Sequence, residues 1–283
     1  MPTAEHLAGR RVFITGAARG IGAALAKRLH ERGARVAVAG LEPDGLAEVA
    51  DSVGGPWWEC DVADRGQVDE VAAAAAQALG GLDVVVANAG IAAQVPLVGG
   101  DPAMFEKIVA VNLLGSYYTL RAAGPHVSHP RGYALAVSSL GAAVHLPLMG
   151  AYSASKAAVE ALGSTLRQEL RPSGARVGVA YFAELDTEMT SRGFDTEAAR
   201  KLLGNRNITR VTPLEVGIRA LERGIARRSR MIVAPAWTRP AISGRMVVQL
   251  VADLVVRPRM AAAVSTAQHE HVELTTPQPE HRA

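Results

Sequence analysis

Tyr152 and Lys156 stand one helical turn apart in the run Tyr152-Ser153-Ala154-Ser155-Lys156, a spacing that puts both side chains on one face. A phenol titrates near pH ~10, so general acid or base work at neutral pH needs a nearby cation to stabilise the phenolate. Lys156 supplies that cation, and its ammonium also suits ribose hydroxyls. Ser139, upstream at the end of an apolar run, reads on its own as a strand-end cap. The chemistry open to such a pair is proton exchange with a bound oxygen.

A second constellation lies near the start of the chain. Thr15-Gly16-Ala17-Ala18-Arg19-Gly20-Ile21-Gly22 follows a short apolar run and opens a helix. In that context glycines let the backbone approach a pyrophosphate, and the N–H groups of the helix start give it positive potential. Gly16, Gly20 and Gly22 carry that expectation; the alternative is a tight turn with close helix–strand packing. An acid at the end of the next strand would accept from a ribose 2′-hydroxyl and repel a 2′-phosphate, but Gly40 stands there. Arg19 can meet a 2′-phosphate with two N–H groups, which favours NADP over NAD, although Glu42 remains as an acid for NAD.

These residues need a rigid frame. Apolar β-branched runs at Arg11–Thr15, Arg35–Ala39, Asp83–Asn88, Tyr133–Ser138, Arg176–Tyr181 and Met231–Ala234 predict buried strands, with a weaker one at Trp57–Cys60. Helices are predicted over Ile21–Arg32, Asp64–Leu79, Lys107–Ala122, Ala151–Arg171 and Pro213–Arg227, with Asp64 and Thr212 as N-caps. Alternating strands and helices imply right-handed crossovers and one doubly wound α/β domain, a parallel sheet with helices on both faces. The expected domain covers 1–234, with a polar substrate lid at about 186–209.

The glycine spacing, with Ile21-Gly22 following, resembles the short-chain dehydrogenase/reductase family, whose fold is a Rossmann domain. Further matches follow in order: Asp61-Val62 after the third strand, Asn88-Ala89-Gly90 ending the fourth, Asn112 in the next helix, then Ser139, Tyr152 and Lys156. The resemblance implies hydride transfer between a nicotinamide and a carbonyl or alcohol carbon. Asp61 would then contact adenine, Ser139 would hold the substrate oxygen, Tyr152 would pass the proton, and Asn112 would anchor a water relay behind Lys156. After the sixth strand the family's Pro-Gly is missing, and the chain reads Phe182-Ala183-Glu184-Leu185-Asp186-Thr187. Leu185 and Thr187 still match as cofactor contacts. The alternative in another class is a cofactor-binding sensor or scaffold with little turnover.

Composition sets the outer limits. Of 283 residues, 49% are hydrophobic and 20% charged, enough apolar surface for a full core. The net charge of +3 is spread without a basic block, so nucleic acid is not an expected partner. Cys60 is the single cysteine, and no signal or membrane segment opens the chain, which points to a cytoplasmic protein. Val144, His145, Leu146 and Met149, just before Tyr152, suggest an apolar pocket with His145 lining it, hence a hydrophobic ketone or alcohol. Ala157, Ala158 and Ala161 permit close contacts between subunits of a homodimer or homotetramer. The region 235–283 is expected to form one amphipathic helix from Ile242, packed on the body or a sister subunit, or laid on a membrane surface. A mobile tail beyond Arg257 is expected to follow, with His269, His271 and His281 solvated rather than holding a metal.

Overall fold

The computed structural model describes residues 6–187, 189, 196–204, 211–276 and 278. In chain order the elements are β1 (Arg11–Thr15), α1 (Gly20–Glu31), β2 (Arg35–Gly40), α2 (Pro43–Val53), β3 (Trp57–Glu59), α3 (Arg65–Leu79), β4 (Val84–Ala87) and α4 (Pro102–Val109). Then come α5 (Gly115–Val127), β5 (Tyr133–Val137), α6 (Gly150–Glu169), β6 (Arg176–Phe182), α7 (Glu197–Leu203), α8 (Leu214–Arg227), β7 (Met231–Ala234), α9 (Arg239–Ser243), α10 (Arg245–Val256) and α11 (Met260–Ala267). The strands form one parallel sheet in the order β3-β2-β1-β4-β5-β6-β7. Strand order reverses between β1 and β4, so a crevice opens at their carboxyl ends, where doubly wound folds bind ligands.

Side-chain alternation along the strands divides the core. Val12 and Ile14 face α1 and α8, packing with Leu25, Leu29, Ile218 and Leu221, while Phe13 points the other way toward Val71, Leu79 and Leu120. A parallel sheet covered on both faces needs such two-sided apolar strands. Arg11 fastens β1 beside β4, its Nε and Nη2 donating to the Asp83 carboxylate at 2.9 and 3.0 Å. Arg28 of α1 and Arg32, just past its end, meet the buried Glu222 of α8 at 3.1 and 2.7 Å.

Several expectations are corrected. A helix absent from the sequence reading, α2, starts on Pro43, buries Leu46, Val49, Ala50 and Val53, and ends at Gly54 with left-handed φ of 59°. The helix expected over Lys107–Ala122 begins earlier, after the Asp101 cap, and is interrupted by a π-helical turn at Ala110–Leu114. Thr212 does not cap α8: Pro213 precedes the helix, and Thr212 instead pairs with β6's extension through Glu184 and Asp186. The C-terminal helix is broken at Gly244 into α9 and α10. The tail expected to stay unstructured forms α11 from the helix-favouring Met260-Ala-Ala-Ala segment, which packs Ala263 against Leu202 of α7. Of the expected lid, 188, 190–195 and 205–209 lie outside the described residues, as does His281.

Candidate active site

The glycine turn is built by contacts that no side chain could share. At Gly16, φ is 65°, and a Cβ would sit 2.6 Å from Ala89 Cα. At Gly22 a Cβ would sit 2.3 Å from the Gly16 carbonyl oxygen and 2.8 Å from Asn88 Nδ2. Asn88 Nδ2 donates to the carbonyls of Thr15 and Gly16, both at 3.0 Å, pinning the turn to the end of β4. Gly20, with φ of 57°, faces open space: nothing lies within 4 Å of its Cβ position. Ile21 packs into the core beneath.

That open space belongs to a cavity of about 510 Å³ running along the carboxyl ends of the strands. Gly40, Asp61, Val62, Ala89 and Gly90 line it. One Asp61 carboxylate oxygen accepts from Ala63 N at 2.9 Å, and the other lies 3.9 Å from Lys107 Nζ. Arg19, in the glycine turn, donates from its Nε to Glu42, just past the end of β2, at 3.1 Å, so both candidate selectors of the 2′-position meet there. Positive-φ glycine backbone, a helix start and an elongated groove together fit a dinucleotide.

At the other end of the cavity α6 presents Tyr152 and Lys156, both buried. Ser139 follows β5 and hydrogen-bonds the Tyr152 phenol, while its Oγ also accepts from Gly141 N at 3.1 Å. Lys156 Nζ donates to the Val137 carbonyl at 3.0 Å and lies 5.8 Å from the Tyr152 ring centroid. A Cβ on Gly90 would come within 3.1 Å of Nζ, so the turn ending β4 closes directly over the ammonium. Burial pushes the Lys156 ammonium down to about 8. Burial raises the Tyr152 phenol above its ordinary value, and the Ser139 hydrogen bond works against that rise. A phenol held by a serine hydroxyl, with a weakly basic amine behind it, can pass a proton to an oxygen bound beside it.

Asn112 sits in the π-helical turn, the irregularity that swings its amide inward. Fully buried, it accepts from Ile91 N at 2.8 Å and donates to Ile91 O at 2.9 Å and to Ser155 Oγ at 3.0 Å. It therefore ties the segment after β4 to α6.

Residues 10–198 match the family model for short chain dehydrogenase. The chain belongs to the short chain dehydrogenase family. It is 32% identical over 207 residues to D-threitol dehydrogenase of Mycolicibacterium smegmatis, covering 70% of this chain and 80% of that protein. It is also 32% identical over 189 residues to an uncharacterized oxidoreductase of Staphylococcus aureus strain N315, covering 65% of this chain and 82% of the relative. Among solved structures, a dehydrogenase/reductase from Sinorhizobium meliloti 1021 superposes with a TM-score of 0.70 at 29% identity, covering 82% of this chain and 97% of that one. The chain is thus an oxidoreductase of this family, and the family uses NAD or NADP.

Where the resemblance leads one to expect Pro-Gly after β6, the chain has an extended segment. Ala183 N donates to Ala234 O at 3.1 Å, Thr212 N to Glu184 O at 2.9 Å and Asp186 N to Thr212 O at 2.8 Å, so β6 runs on past the sheet. Leu185 is buried against Gly217, and Thr187 lines the cavity with its Oγ1 3.4 Å from Leu185 O. His145 is a correction: it is exposed and absent from the cavity wall. Its backbone N–H and carbonyl are held by the Gln249 side chain of α10 at 2.7 and 3.0 Å, which turns the imidazole outward.

The sequence reading missed part of the wall. Val248, Val251, Ala252 and Val255 of α10, together with Trp237, close the apolar end opposite Leu146 and Met149. Met246, Val247, Leu250 and Leu254 of the same helix stand in solvent. Ser138, beside Ser139, anchors α6 by donating to the Lys156 carbonyl at 2.8 Å. Thr275, Thr276 and Gln278 of the tail also line the cavity, and no local pattern announces them. Cys60 is buried, which pushes its thiol up to about 12 and keeps it protonated.

Proposed function

We propose that this chain is an NADP-preferring dehydrogenase or reductase that interconverts a hydrophobic ketone or aldehyde with the corresponding alcohol. The observation that carries this reading is the Ser139–Tyr152 hydrogen bond, set with Lys156 in the same cavity as the glycine turn. In the proposed role Ser139 holds the substrate oxygen, Tyr152 exchanges the proton with it, and Lys156 supports the phenolate once that charge forms. Gly16, Gly20, Ile21, Gly22, Gly40, Asp61, Val62, Asn88, Ala89, Gly90, Leu185 and Thr187 would hold the dinucleotide, which supplies or accepts the hydride when bound. Asn112 serves as the tie that keeps Ile91 and Ser155 in register behind them.

Substrate polarity follows from the wall. The relative named D-threitol dehydrogenase takes its name from a small polyol. Here Leu146, Met149, Trp237, Val248, Val251 and Val255 offer carbon where a polyol would need hydrogen-bond partners, which favours a larger apolar substrate. NADP preference rests on Gly40 lacking a carboxylate and on Arg19 beside it, a cation that a 2′-phosphate would draw from Glu42. A homodimer or homotetramer is supported by Phe105, Leu114 and Tyr117, apolar yet exposed on α4 and α5 and the turn between them.

Thermal unfolding with NADPH, NADH or neither, at equal concentrations, tests the cofactor reading, since a ligand held by the native state alone raises the midpoint. NADPH should give the larger shift, and Arg19→Ala should erase the difference. A larger NADH shift would assign selection to Glu42 instead.

A further inference from the structure

The C-terminal tail does more than line the cavity. After α11, Glu270 reaches back to α7, its carboxylate accepting from Glu197 N at 2.5 Å and Ala198 N at 2.9 Å, so a negative charge caps that helix. Val272 and Leu274 then pack onto the core face formed by α3, α5 and α6. This brings Thr275 to the segment after β4, where it is 1% exposed. Thr275 N donates to Ala92 O at 3.1 Å, and Thr275 Oγ1 accepts from Ala92 N at 3.0 Å, a two-bond clamp. One step on, Arg19 Nη2 donates to Thr275 O at 3.2 Å and Thr276 Oγ1 at 2.5 Å.

The two fastenings join the tail to two different turns at the carboxyl ends of the strands. Ala92 follows the Asn88–Gly90 turn, and Arg19 belongs to the turn between β1 and α1. A dinucleotide lying across the carboxyl ends of this sheet must run between those turns. Its path therefore passes the tail, which shares the cavity with Gly16, Gly20, Asn88 and Gly90. Between Gln268 and Thr276 the tail has no helix or strand of its own, and among the contacts that hold it are the clamp, the Arg19 latch, the Glu270 cap and two apolar anchors. A segment outside the sheet, with no ladder or helix hydrogen bonds of its own, can open locally without unfolding of the sheet.

We propose that residues 270–276 form a strap across the dinucleotide groove, which opens to admit the cofactor and closes over it, fastened by Thr275 on Ala92 and by Arg19 on Thr276. This rests on the dinucleotide reading given above. Because the strap gates entry and exit alike, weakening it speeds both directions and changes affinity less than either rate.

The test uses the full chain and stopped-flow measurement of NADPH binding and release. Thr275→Val with Thr276→Ala removes the hydroxyl halves of both fastenings and leaves Glu270 and α11 in place. Association and dissociation rates should both rise, by about tenfold, the factor expected on losing one or two hydrogen bonds. A chain ending at Gln268 should show at least the same acceleration. Hydrogen exchange at 270–276 in the unaltered chain should slow when NADPH binds. Unchanged or slower rates in the double variant, or exchange that speeds up on binding, would overturn the strap. Failure of the unaltered chain to bind either dinucleotide would instead overturn the reading on which it rests.

Discussion

Lys156→Met separates what the lysine does for chemistry from what it costs the fold. Burial holds the Lys156 ammonium at about 8, against about 10.4 for an unfolded lysine. Between those values the unfolded chain binds more protons than the folded one, so the lysine's penalty is greatest at low pH and fades as pH rises through that window. At pH ~7 the difference of roughly 2.4 units corresponds to about 3 kcal/mol of lost stability; by pH ~9.5 about 1 kcal/mol remains. Methionine fills similar volume without the charge but leaves the Val137 carbonyl without its donor at 3.0 Å, a cost of about 1–2 kcal/mol. Urea unfolding should therefore find Lys156→Met about 1–2 kcal/mol more stable than the unaltered chain at pH ~7. By pH ~9.5 that advantage should have fallen by about 2 kcal/mol. Taking the difference between the two chains removes the titration of tyrosines and other groups they share. A gap that stays constant across this range would refute the reasoning, because it would mean that Lys156 titrates alike in both states.

Gly22→Ala should cost about 1–3 kcal/mol and abolish dinucleotide-induced stabilisation, because its Cβ would meet the Gly16 carbonyl at 2.3 Å; urea unfolding with and without NADPH reads both. Asp83→Asn should lower stability by about 1–3 kcal/mol at pH ~7. Burial works to raise the Asp83 carboxyl, but the Arg11 hydrogen bonds hold it below the ordinary value, so this stabilisation is present above pH ~4 and lost as pH falls through the folded value. The gap between the two chains should accordingly close on acidification. Sedimentation should find a dimer or tetramer, and Leu114→Glu with Tyr117→Glu should shift it toward monomer.

The parts of the molecule that could be read from sequence are those whose causes are local. Strands such as Val84–Ala87 are buried on both faces and show as unbroken β-branched runs, and the order of motifs follows the order of strands. The glycine turn and the Tyr152–Lys156 pair are set by spacing within one loop and one helix turn. The short helix α2 was less visible, because Pro43 and Gly45 punctuate its start as they would a loop. His145 lies in an irregular stretch without periodicity, and its outward direction is decided by Gln249, 104 residues away. The Thr275–Ala92 clamp joins positions 183 apart, and nothing in the tail's composition marks its partner. Arg19 was legible as a cation at the 2′-position, whereas its sharing among Glu42, Thr275 and Thr276 depends on three separate segments meeting.

The central claim is that Tyr152 moves the proton in a dinucleotide-dependent carbonyl–alcohol exchange. Tyr152→Phe removes one oxygen and leaves the glycine turn, Arg19 and Lys156 intact. The most direct measurement follows nicotinamide absorbance with a panel of apolar ketones for both chains, alongside calorimetric NADPH binding. The account predicts near-equal NADPH affinity, with turnover in Tyr152→Phe reduced by about a hundredfold or more. Turnover by Tyr152→Phe at the unaltered rate would contradict it, as would tight NADPH binding with no hydride transfer to any ketone in either chain, the behaviour of a sensor.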